Sequence, residues 1–64
     1  PNFLVYDANG NLLYLLESTY NENGERTGLI VTNPSGEIIE NIPSEIYAIM
    51  DEVDGIVINS IESL

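Results

Sequence analysis

Short apolar runs separated by Asn- and Gly-bearing turn signals fill the chain up to Ile42, and a different period takes over after it. The first run is residues 3–6, ending at Asp7-Ala8-Asn9-Gly10, where Asn-Gly is placed for a tight hairpin. The second spans 12–20 and ends at a further Asn-Gly turn, Asn21 to Glu25. The third, 27–32, centres on Leu29, Ile30 and Val31 and runs into Asn33-Pro34-Ser35-Gly36. That tetrapeptide has Asn first, Pro second and Gly fourth, the residues a type I turn selects. A fourth strand is expected over 37–42. Ile46, Ile49, Met50 and Val53 then recur at i, i+3, i+4 and i+7, which predicts an amphipathic helix over 44–54. Ser44 is the expected N-cap and Gly55 the expected stop. The β-branched run Ile56-Val57-Ile58 predicts a fifth strand over 56–61, which Ile61 and Leu64 extend. The expected fold is α+β in a single domain over 1–64: a four-stranded antiparallel meander, one amphipathic helix, then a fifth strand.

These strands do not alternate as strands with one wet face should. Leu12 to Leu16 is apolar on both sides, and so are 3–6, 29–31 and 56–58. A helix of three turns covers part of one face only, so a second apolar face is expected to meet something else, a second copy first among the choices. Leu13, Leu15, Tyr14 and Tyr47 are the expected interface residues. Tyrosines also suit the edge of a core, with the ring buried and the hydroxyl wet.

Composition strengthens this expectation. The chain has 64 residues, 44% of them hydrophobic, too apolar for a disordered acidic tail. A domain of this size is only marginally stable on its own core. With no Cys and no His, disulfides and most transition-metal sites are excluded, which leaves self-association as the source of further burial. Eleven carboxylates stand against one basic side chain, Arg26, for a net charge of −10. Such a chain is repelled by nucleic acid and by anionic membranes, and no apolar run is long enough to span a bilayer. Its natural electrostatic partner is a basic protein surface.

The candidate chemistry is sparse. Without His, Cys or Lys there is no general base beyond carboxylates, and no nucleophile elbow or phosphate-cradling loop is present. No catalytic, cofactor-binding or metal-ligating residues are expected. Asp7, Asn9 and Gly10 faintly resemble the start of a calcium loop, but they are also the residues a hairpin turn prefers. Glu45, Asp51, Glu52 and Asp54 form an acidic ridge on the predicted helix. Its ordinary reading is a solubilising surface; its functional reading is a docking ridge for a basic partner. In composition, though in no motif, the chain is similar to DNA-mimic inhibitors, whose carboxylates stand in for phosphates.

Asn2-Phe3-Leu4-Val5-Tyr6-Asp7-Ala8-Asn9-Gly10-Asn11-Leu12-Leu13 resembles the opening hairpin of small bacteriophage accessory proteins. The resemblance covers about a fifth of the chain and implies a phage or prophage origin, in the cytoplasm of a host cell or in a virion. Two functions follow as expectations. One is a non-enzymatic, self-associating structural or accessory module. The other is an acidic inhibitor occupying a basic nucleic-acid site.

Overall fold

The computed structural model describes residues 2–62, with side chains through residue 60. Three strands, β1 (Asn2–Tyr6), β2 (Leu12–Tyr20) and β3 (Arg26–Thr32), precede one helix, α1 (Ser44–Glu62). The sheet is an antiparallel meander in the order β1-β2-β3. Leu4 lies opposite Leu15 and Leu15 opposite Thr32, while Phe3, Leu16 and Val31 form the neighbouring row. Because side chains alternate across a strand, the two rows face opposite sides of the sheet.

The three turns share one geometry. In the first, the Gly10 amide donates to the Asp7 carbonyl at 3.1 Å and the Asp7 amide to the Asn11 carbonyl at 2.9 Å. The side chain of the first residue closes the loop. Asp7 Oδ1 accepts the amides of Asn9 and Asn11 at 2.8 and 2.9 Å. Asn21 does the same for Asn23 and Glu25, and Asn33 for Ser35 and Glu37. Gly10, Gly24 and Gly36 all carry positive φ, at 84°, 79° and 85°, and no other described residue does. Asn9 and Asn23 are therefore not left-handed, which excludes the two-residue Asn-Gly hairpin. All three loops are type I turns followed by a left-handed Gly, the form expected for Asn33 to Gly36 alone.

The helix lies on the face that carries Phe3, Val5, Tyr14, Leu16, Leu29 and Val31. Leu16, Val31, Ile46 and Met50 are fully buried, and Ile49, Val53, Ile39 and Ile42 pack around them.

Three expectations are corrected. No fourth strand forms among the described residues: past the turn, only the isolated bridge between Thr32 and Ile38 and the bond from the Ile39 amide to the Val31 carbonyl (2.8 Å) continue the ladder. Ile39 and Ile42 both pack on the core. Residues three apart on a strand face opposite sides, so the chain must leave the ladder for both to be buried. Pro43, which cannot donate and restricts Ile42, confirms the break.

No fifth strand forms either. Residues 56–61 belong to α1, which does not stop at residue 54 and contains Gly55 in its interior. Gly within a helix costs about 1 kcal/mol, less than is needed to end a ladder that gains a bond with each added residue. Val57 continues the buried stripe one turn beyond Val53, half-buried, while Ile56 is exposed. The side chain of Ile61, and Leu64 as a whole, lie outside the described residues.

The helix is also longer than expected. At about 1.5 Å per residue its 19 residues match the reach of the nine-residue β2 at about 3.3 Å each. It packs on one face through Ile46, Ile49, Met50 and Val53 and leaves the other to solvent.

A Cβ built on Gly55 meets nothing within 4 Å. Gly55→Ala is therefore expected to stabilise the protein by about 0.5–1 kcal/mol, read as a higher urea midpoint at unchanged slope. Gly10→Ala, at φ 84°, should lower that midpoint.

Candidate interaction surface

Two features organise the molecular surface: a polar pin that fixes the helix, and the sheet face that the helix leaves open.

The pin is built from the ends of β2 and β3 and the middle of α1. Asp54 Oδ1 accepts the Tyr20 hydroxyl at 2.8 Å, and Asp54 Oδ2 accepts Arg26 Nη1 at 3.0 Å. Arg26 and Asp54 are each about three-quarters withdrawn from solvent, their side chains 23% exposed. Ser18, buried on the same face, approaches the Tyr20 oxygen at 3.5 Å. Burial is the main influence raising the Tyr20 hydroxyl above its usual value near 10; Asp54 raises it further, against the opposing effects of Ser18 and Arg26.

The open face carries Leu4, Tyr6, Leu15, Glu17, Thr19, Ile30 and Thr32, in the alternation set by the buried Leu16 and Val31, and a register shift in β2 sets Leu12 rather than Leu13 opposite Tyr6. Leu4 is 54% exposed, Tyr6 53%, Ile30 48% and Leu12 37%, in a molecule whose other sheet face is covered. Exposed apolar groups scattered singly are ordinary; grouped on one face they mark a contact surface. Charge is almost absent here. Asp7, Glu22, Glu25 and Glu37 lie in turns, Glu40 in the segment between β3 and the helix, and Glu45, Asp51, Glu52 and Asp54 on the helix, so Glu17 is the one carboxylate carried by the strands.

Toward the Asn2 end of the face lies a depression of about 300 Å³ lined by Asn2, Glu17, Ser18, Thr19, Gly28, Leu29 and Ile30. Its floor is Gly28, whose missing side chain leaves room; a Cβ there would stand 3.0 Å from Thr19 Oγ1. The Thr19 and Thr27 hydroxyls are bonded to each other across the strands at 2.9 Å.

Of the four expected interface residues, the structure places Leu15 on the open face and Leu13, 39% exposed, at the register shift of β2, and separates the other two. Tyr14 points the opposite way and packs against the core, and Tyr47 stands exposed on the helix. A period-two reading of β2 already divides Tyr14 from Leu15. Leu4, Tyr6 and Ile30 share the face, and the same alternation points to them. The acidic ridge is altered too. Glu45, Asp51 and Glu52 are exposed on α1, but Asp54 is turned inward to Tyr20 and Arg26. Arg26 is too remote in sequence for any helix-spacing rule to pair it with Asp54.

Asp7 works as a turn residue. Its Oδ1 takes two amides and its Oδ2 the Asn11 side chain at 3.0 Å, bonds that lower its pKa, those from Asn11 most. Among the described residues no three acidic side chains converge as a metal site would require, and no helix is long and apolar enough to cross a membrane. Comparison with protein-family models, curated proteins and solved structures finds no match for this chain.

Asp54→Ala is expected to cost about 1–2 kcal/mol, since it removes a partly buried ion pair and the acceptor of a buried hydroxyl. The Tyr20 shift predicts a pH effect. The folded state holds the phenolic proton to higher pH than the unfolded chain, so this contribution is intact below about pH 10 and is lost as pH rises through the folded value. Denaturant titrations between about pH 8 and about pH 11 should show a steeper alkaline loss in the native protein than in Tyr20→Phe.

Proposed function

We propose that the protein is a small, non-enzymatic structural or accessory module that works by self-association through the open face of its sheet. The opening hairpin, similar to those of phage accessory proteins, supplies a phage-encoded component as its setting. One observation carries this reading: the helix covers one sheet face, while the other presents Leu4, Tyr6, Leu12 and Ile30 to solvent. Two further arguments favour a second copy as the partner. The core is small, with four fully buried hydrophobic side chains among the described residues, and no disulfide supplements it. The charge is also distributed so that like can meet like. Two molecules of net charge −10 repel through their turns and helices, but the strands of each bring a single carboxylate, Glu17, to this face.

The acidic-inhibitor reading draws on the other side of the molecule. It loses Asp54 to Arg26 and keeps Glu45, Asp51 and Glu52, a short ridge with Tyr47 beside it. The apolar face is the more extensive feature, and the module reading rests on it.

Salt separates the two. Light scattering after size exclusion should find a dimer or larger species at micromolar concentration, and the assembly should tighten as salt rises from about 0.05 M to about 1 M because screening removes the repulsion between copies. Ile30→Glu should return the protein to monomer without unfolding it, since the side chain it replaces is half in solvent. A strict monomer at every salt concentration overturns the proposal. Capture of a basic nucleic-acid-binding protein, lost as salt rises, replaces it with the inhibitor reading.

A further inference from the structure

Resting on the self-association reading, we infer that the depression over Gly28 is a socket, and that Tyr6 of a second copy fills it with its ring over Gly28 and its hydroxyl donating to Glu17.

The inference begins with Glu17. Packing two open faces together withdraws this carboxylate from water, and a desolvated carboxylate must be given donors. In most proteins a Lys or Arg of the partner would serve. Here the one basic side chain is Arg26, and it is committed to Asp54 at 3.0 Å on the opposite side of the sheet. A second copy can therefore offer Glu17 only neutral donors. On the open face these are the hydroxyls of Thr19, Thr27, Thr32 and Tyr6 and the amide of Asn2. Thr19 and Thr27 are already bonded to each other. The Tyr6 phenol has the longest reach of the set, and the residue is 53% exposed.

The shape of the depression agrees. A Gly inside a strand removes packing area and marks a place where another group can approach the backbone closely. An aromatic ring laid over such a Gly restores that packing, a device known between neighbouring strands. Ile30 and the Thr19 methyl make an apolar wall, while Glu17 and Asn2 make a polar rim. Tyrosine has the matching division, an apolar body with one polar end, and is enriched in interface centres for that reason.

Position completes the case. Tyr6 lies four residues beyond Asn2 on β1, about 13 Å along the strand, so knob and socket occupy opposite ends of the same face. A twofold axis lying in the interface and crossing the strands obliquely, perpendicular to the line from Tyr6 on β1 to Gly28 on β3, places Tyr6 of each sheet over Gly28 of the other. In such an isologous contact each interaction occurs twice. One face then buries two identical tyrosines and satisfies both Glu17 carboxylates.

Sedimentation equilibrium on the whole chain tests this. Tyr6→Ala should weaken the dimer by tenfold or more. Gly28→Val, which fills the socket, should weaken it comparably, with circular-dichroism melts confirming that each variant still folds. Tyr6→Phe and Glu17→Gln should together weaken it less than the product of their separate effects, since both remove the same bond. If the native chain dimerises and Tyr6→Ala leaves the dissociation constant unchanged, or if the two conservative changes multiply independently, the socket is wrong and self-association stands. If the native chain is monomeric throughout, both fail together.

Discussion

The Asp54 carboxylate receives hydrogen bonds from Tyr20 on β2 and from Arg26 on β3, and through these two bonds the helix is held in one position on the sheet. Apolar packing alone sets no unique register. The stripe Ile46, Met50, Val53 would gain similar burial after a small slide along the strands. A partly buried carboxylate is less tolerant, because a slide would leave it desolvated and unpaired, at a cost of several kcal/mol. The polar pin therefore decides which face of the sheet the helix covers and how far along it reaches. The open face is the complement of that choice.

Much of this was legible in the sequence. The three strand-turn units announce themselves through Asp7, Asn21 and Asn33, each followed three residues later by Gly, because only that arrangement lets a side-chain oxygen close the loop while Gly takes the left-handed position. The buried stripe of the helix is equally plain at Ile46, Ile49, Met50 and Val53. That the sheet is apolar on both sides follows from Leu12 to Leu16, and the structure bears it out. What was hidden was non-local. Whether Ile56-Val57-Ile58 becomes strand or helix is undecided by its own preference, which is β; the helix already under way before it decides. Whether 37–42 becomes a strand depends on Ile39 and Ile42 both reaching the core, a demand visible only once the core exists.

The expected interface residues do not share one face in the structure. Leu15 lies on the open face, but the adjacent Tyr14 does not. The reason is elementary, since adjacent residues of a strand cannot share a face. Tyr47 was grouped with them by chemical type rather than by position. The inward turn of Asp54 had no sequence signal, because the pairing with Arg26 spans 28 residues and is created by the packing of helix on sheet.

The commitment of Arg26 to the interior of the fold has a further consequence. Apart from the paired Arg26, the side-chain charge that the described residues present to their surroundings is negative. Wherever two molecules crowd together, neutrality has to be supplied by small mobile cations drawn from the medium and held in the gap. The ions dissolved around the protein thus become a structural ingredient of its condensed forms, and replacing sodium with a multivalent or organic cation changes how closely the molecules can be brought together, with no change in the fold itself.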